Sequence, residues 1–299
     1  MKEILELRVN YDYAHLLFKP EDGKIIENSV QVVRIFKDDP RYDQIPIVER
    51  KIQKKDNMKM FFSYWHFERL YTKEELNDAN LFHISVKPYF EPSGELCGME
   101  YDEAVACSIC GVGRRQIGPL KLKKNSIPKN KDIACTIERS TEIVVSQKFK
   151  TAFEKRKLKG IRFDPVVFGE NISTDYYQLV PVSELELTSH TITGVNPWNF
   201  SEGSEGGTHE IQKGYKITFE KEVYKCPRGH LIGLNLLSEP YVSDSPAIKE
   251  YDFFASTQKV GVKVGLLRPS SIYLCSPAFR NMVLEEKLKG FDFEVAHIE

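Results

Sequence analysis

The sequence predicts an α+β fold, and three observations predict it. The first hundred residues hold aromatic and β-branched segments of strand length, and two later segments read strand–helix–strand in matching register. Two short cysteine clusters, more than a hundred residues apart, have the composition of tight turns with a shared task. With 299 residues and 41% hydrophobic content the chain can bury a sizeable core, so one or two globular domains are expected rather than a disordered or fibrous chain.

Residues 1–90 form the first expected region, α+β and rich in strands. Ile4–Phe18, Ser29–Phe36 and Phe61–Leu70 are its strand segments, and the polar stretch Lys51–Lys59 is its best loop candidate. Thr72-Lys73-Glu74-Glu75 is a capping box, in which a threonine side chain and a glutamate three residues on satisfy each other's backbone N–H groups, so a short helix begins there. The strand Phe82–Phe90 follows.

Residues 91–299 form the second expected region. Set 130 residues apart, Ile143–Val166 and Tyr273–Ala296 share Ser146/Ser276, Phe149/Phe279, Phe163/Phe293 and a whole Lys-Leu-Lys-Gly at 157–160 and 287–290. Each copy opens with an apolar run suited to a buried strand and then places serine at a helix N-cap, followed in the second copy by Pro277 at the first helical position. Phe149, Ala152 and Phe153 in one copy, and Phe279, Met282 and Val283 in the other, make one apolar stripe per helix. Gly160 and Gly290 are placed to end the helices in the left-handed conformation, after which alternation resumes at Ile161–Asp164 and Phe291–Glu294. The reading is two pseudo-repeated strand–helix–strand units. Between them, Thr193–Glu210 concentrates Gly, Ser, Asn and Pro and is expected to be an exposed, mobile loop whose Trp198 and Phe200 either tuck back or meet a partner.

Cys107-Ser-Ile-Cys110-Gly111 and Cys226-Pro-Arg-Gly229-His230 carry the clearest chemistry. A structural zinc site takes four N or S ligands, commonly as two pairs from separate turns, so Cys107, Cys110, Cys226 and His230 make one complete set for a structural Zn²⁺. Four protein ligands leave no open coordination position, so such an ion would hold a shape rather than catalyse. Unrelated buried cysteines with a surface histidine are the plain alternative. A redox CxxC is another, although Gly111-Val-Gly113 does not continue as the helix that such motifs open. Cys97, Cys135 and Cys275 are read as free, buried thiols.

No zinc-protease, serine-hydrolase, Walker or dinucleotide motif occurs, and isolated His190 and His209 are read as solvated, so no enzyme is expected. Net charge is −1, which excludes a global field for nucleic acid or membrane. Arg114, Arg115, Lys121, Lys123, Lys124, Lys129 and Lys131 do form a local basic run, the basis of a second reading as a zinc-stabilised nucleic-acid-binding protein. The N-terminus has no secretory pattern and no window has membrane-span length, so a soluble cytoplasmic protein is expected.

Glu95-Leu-Cys97-Gly98-Met-Glu-Tyr101-Asp102, Ala106-Cys107-Ser-Ile-Cys110-Gly111, the helix start at Ile143–Ser146, and Lys225-Cys226-Pro227-Arg-Gly229-His230 with Gly233–Ser238 resemble the bacterial double-CxxCG family over roughly residues 80–299. The resemblance implies a metal-binding immunity protein of a polymorphic toxin system, which blocks a cognate toxin by direct binding. One departure stands out. Gly229 occupies the position of the family's second cysteine in the later motif, so His230 must take over that ligand.

Overall fold

The computed structural model describes residues 1–56, 59–138, 141–198, 208–211, 215–218, 226–263 and 266–299. They divide into two units, Met1–Asp78 with Asn196–Glu202 and Ala79–Val195 with Gly203–Glu299, both mixtures of strands and helices in which strands dominate. The boundary expected at residue 90 lies beyond the observed one, because the strand after Asp78 belongs to a sheet of the larger unit.

The smaller unit runs β1 (Lys2–Asn10), α1 (Tyr11–Ala14), β2 (Gly23–Ile26), β3 (Val30–Phe36), α2 (Ile45–Lys55), β4 (Phe62–Leu70) and α3 (Lys73–Asp78). Its antiparallel sheet has the order β2-β3-β1-β4, and Leu5, Leu7 and Val9 alternate inward to meet Val33, Ile35 and Phe67. The strand expected to reach Phe18 stops at Asn10, whose side chain accepts the Asp12 N–H at 3.1 Å and starts a helical turn. Lys51–Lys55, expected as loop, is the last turn of α2. Ile45, Val48 and Ile52 bury one stripe of that helix while its lysines face water, a pattern that reads as merely polar along the chain. The capping box forms: the Glu75 N–H donates to Thr72 Oγ1 and the Thr72 N–H to Glu75 Oε2. Trp198 tucks back, with its ring 5.4 Å from both Tyr42 and Phe62; Phe200 lies outside the described residues.

The larger unit runs β5 (Leu81–Val86), β6 (Glu100–Asp102), β7 (Arg115–Ile117), β8 (Leu120–Lys121), β9 (Ile133–Cys135), β10 (Ile143–Ser146), α4 (Gln147–Lys155), β11 (Ile161–Phe168) and β12 (Asn171–Pro181). It continues through β13 (Glu184–Leu185), β14 (Thr193–Gly194), β15 (Thr208–Ile211), β16 (Tyr215–Thr218), β17 (Asn235–Leu236), β18 (Tyr241–Val242), α5 (Ala247–Glu250), β19 (Phe253–Val260), β20 (Ser270–Cys275), α6 (Pro277–Glu285) and β21 (Phe291–Ile298). Beside the strand pairs β6-β7, β14-β17 and β15-β16, its largest sheets have the orders β8-β11-β12-β10-β9 and β13-β19-β20-β5-β21-β18. In each, the strand entering the helix and the strand leaving it are separated by a third, antiparallel to both. That middle strand is β12 in one sheet and β5 in the other, so the chain supplies it after the helix in one case and long before it in the other. Parallel β8 flanks β11 as parallel β18 flanks β21.

Helices α4 and α6 press their apolar stripes together. Phe149 is fully buried, its ring 5.9 Å from Phe279, 5.6 Å from Phe291 and 6.2 Å from Phe163. Ser146 and Ser276 cap the helices, each accepting an N–H at 3.2 Å from Phe149 and Phe279 respectively. Both helices end in a Schellman turn whose positive-φ residue is Lys157 or Lys287; Gly160 and Gly290 also take positive φ, 112° and 111°, but lie three positions beyond it. The glycines serve a close approach instead. A Cβ on Gly160 would stand 2.2 Å from the carbonyl oxygen of Phe253, and one on Gly290 would stand 2.5 Å from that of Ile133.

Those approaches belong to a reciprocal clasp. Asp132 accepts the Ser146 hydroxyl at 2.8 Å and the Lys289 N–H at 2.8 Å, and its own N–H donates to the Lys289 carbonyl at 2.8 Å. Asp252 accepts the Ser276 hydroxyl at 2.7 Å and the Lys159 N–H at 2.9 Å, and its N–H donates to the Lys159 carbonyl at 2.8 Å. Each aspartate thereby ties the start of one helix to the turn beyond the other. No helix among the described residues is long and apolar enough to cross a membrane.

Asparagine at either aspartate replaces one accepting oxygen with a donor that faces another donor. Asp132→Asn and Asp252→Asn are each expected to lower stability by about 1–3 kcal/mol, measured by urea unfolding; an unchanged midpoint in both would show that the clasp carries no stability.

Candidate metal centre

The four candidate ligands lie in two turns of the larger unit. Cys107 and Cys110 sit between β6 and β7, and the Cys107 N–H closes the turn on the Val112 carbonyl at 2.8 Å. The second turn closes the same way, the Cys226 N–H donating to the Leu231 carbonyl at 3.0 Å. Gly111 and Gly229 take positive φ of 71° and 77° in the two turns. In the first turn glycine follows the second ligand, while in the second turn it precedes it, so the donor moves one position along, to His230.

The donor atoms converge. Cys107 Sγ is 3.9 Å from Cys226 Sγ, and His230 Nδ1 is 3.8 Å from both Cys110 Sγ and Cys226 Sγ. All four lie within 4.8 Å of one another, and the three cysteines are buried beside Leu231 and Val112. Cys107, Cys110, Cys226 and His230 can therefore hold a metal ion. The electrostatics favour a cation: N–H groups of Cys110 and Ile109 aimed at the Cys107 sulfur lower its pKa, whereas burial and the neighbouring sulfurs push the Cys110 thiol up. Three sulfurs around one point repel as thiolates unless a positive charge lies among them. Among the described residues Cys97, Cys135 and Cys275 form no disulfide; Cys135 and Cys275 are buried, whereas Cys97 is only half-buried.

Each turn is anchored behind its donors. The Lys259 N–H of β19 donates to the His230 carbonyl at 2.7 Å, and Leu231 bridges to Lys259. Behind the first turn, Arg114 is buried with its guanidinium 3.6 Å from the Tyr101 ring centroid and ion-paired with Glu95 (3.4 Å), Glu103 (3.3 Å) and Glu138 (3.7 Å). Glu103 also reaches Lys263 at 3.2 Å and Arg268 at 3.4 Å. Tyr101 donates at 2.9 Å to the fully buried Glu142, which also accepts the Gly94 N–H at 2.7 Å and the Thr136 hydroxyl. Nothing in the sequence singled out Glu138 or Glu142, because a buried carboxylate looks like any surface one until its neighbours are known.

The remaining expected residues scatter. Arg114 points inward, Arg115 pairs with Asp102 at 2.8 Å, Lys124 pairs with Asp175 at 2.8 Å, and Lys121 donates to the Gly98 carbonyl at 3.0 Å. His190 lies 2.8 Å from the Glu299 carboxylate, while the side chain of His209 lies outside the described residues.

Burial raises the pKa of Glu142 above its ordinary 4.5. A raised folded value means that the stability this carboxyl contributes is full below the unfolded pKa and is lost as pH rises through the folded one. Wild type should therefore lose stability relative to Glu142→Gln as pH climbs from about 4.5 toward neutrality. Thermal melts of both proteins across that range check it; a pH-independent difference would show that Glu142 does not titrate there.

Comparison of the sequence with protein-family models and with curated proteins finds no match.

Proposed function

We propose that the chain is a non-enzymatic, protein-binding protein whose larger unit is stapled by one structural Zn²⁺. The observation that carries the reading is the closed donor set of Cys107, Cys110, Cys226 and His230. Around zinc, with bonds of about 2.3 Å to sulfur and about 2.0 Å to nitrogen, tetrahedral donors stand about 3.8 Å apart for a sulfur pair and about 3.5 Å for sulfur and nitrogen. The separations of 3.9 and 3.8 Å in this site lie within a few tenths of an ångström of those values. A complete protein shell leaves the ion no position for substrate, which supports a structural role.

The matched clasps, caps and strand orders further support reading Ile143–Val166 and Tyr273–Ala296 as copies of one strand–helix–strand unit, each preceded by its own turn of ligands. The metal then joins the two copies. The resemblance to the double-CxxCG family supports the role of a cytoplasmic immunity protein that occludes a cognate toxin. Within the Thr193–Glu210 loop, Trp198 is packed on Tyr42 and Phe62, while residues 199–207 lie outside the described residues.

Protein purified without chelator should carry about one zinc per chain by elemental analysis, and Cys226→Ser or His230→Ala should lose it together with cooperative unfolding of the larger unit. A metal-free wild type with the same melting transition would refute the staple. Co-expression with the product of a neighbouring gene should yield a co-purifying toxin; repeated capture of nucleic acid instead would overturn the protein-binding reading.

A further inference from the structure

Lys129 and Lys131, part of the local basic run in the sequence, line a concavity with Lys148 from the first turn of α4 and Lys287 and Lys289 from the turn before β21. The cavity they line has a volume of about 380 Å³, within the range of small-ligand sites. Among the described residues none of the five ammonium groups is paired with a carboxylate. The two acids at the wall are already engaged: both oxygens of Asp132 accept hydrogen bonds from Ser146 and Lys289, and Asp175 is held by Lys124. Half-buried Tyr176 adds an aromatic wall.

The clasp itself does not call for this charge. At the second clasp, which has the same hydrogen bonds, Tyr251 precedes Asp252 where Lys131 precedes Asp132, and Ala278 stands two residues after Ser276 where Lys148 follows Ser146. Lys131 and Lys148 are thus additions to one clasp, and they convert it into a positive concavity in a protein whose net charge is −1.

We infer that this concavity binds a small molecule carrying at least two phosphate groups. Five lysines lining one hollow suit a compact multiply charged anion, each ammonium group able to act as a point charge on a phosphate oxygen. The source of the phosphates is either inorganic pyrophosphate or a nucleoside polyphosphate, and the two are separated by titrating each. The inference is independent of the metal and of the toxin-binding role, since the residues lining the concavity include none of the four candidate metal donors.

Isothermal titration of the full chain with inorganic pyrophosphate and with a nucleoside triphosphate tests it. Binding of either should weaken by about tenfold or more in Lys131→Ala/Lys148→Ala/Lys289→Ala and with added salt, and should persist in Lys157→Ala/Lys159→Ala at the other clasp. Should the triple variant fail to fold, the single change Lys148→Glu, on an exposed position, must give the same loss. No heat from either probe with folded wild type at low salt, or equal affinity in wild type and variants, overturns the proposal. So does binding of a single-stranded oligonucleotide through these lysines when both small probes fail, since that outcome makes the feature a strand-tracking surface.

Discussion

Two carboxylates, Asp132 and Asp252, hold the larger unit in register with itself. Each joins three things that the chain places far apart: the serine that caps one helix, the backbone of the turn beyond the other helix, and the start of a flanking strand. Because an aspartate has two oxygens and its peptide one N–H and one carbonyl, a single residue can satisfy both neighbours at once. The approach requires Gly160 and Gly290, since any side chain there would collide with the opposing carbonyl. With the two helices so fixed, Phe149 and Phe279 meet, and the aromatic cluster between the sheets closes.

The candidate metal centre inherits its geometry from this frame. One ligand turn hangs from β19, the strand that begins at the Asp252 clasp, through Lys259 and the His230 carbonyl. The other is set by the buried Arg114, clamped among Tyr101, Glu95, Glu103 and Glu138. Donor atoms thus converge because two separate anchors bring them together, and the charge of three clustered sulfurs makes a cation the natural occupant.

Much of this was legible along the chain where a few adjacent residues suffice. The caps at Ser146 and Ser276, the apolar stripes of both helices and the capping box at Thr72 each depend on contacts within one turn, and each forms as its spacing requires. The donor set Cys107, Cys110, Cys226 and His230, which can hold a metal ion, was legible because metal chemistry uses few residue types at short spacings. Helix α2 was not, since its buried stripe of Ile45, Val48 and Ile52 is interleaved with lysines. Gly160 and Gly290 were recognised as special but for the wrong cause: they accommodate an opposing strand rather than end a helix.

By itself, the sequence determined the mixed fold class, the two strand–helix–strand segments and a four-donor set capable of holding a metal, because local hydrogen bonding, periodicity and ligand chemistry are written in short range. Only the tertiary structure decided that β5 and β12 fill the same place in their sheets, that Asp132 and Asp252 clasp, and that Arg114 turns inward while Lys148, Lys287 and Lys289 join Lys129 and Lys131. Those outcomes depend on which distant segments pair, and pairing is settled by burial and backbone hydrogen bonding across the whole unit rather than by any residue's neighbours in sequence.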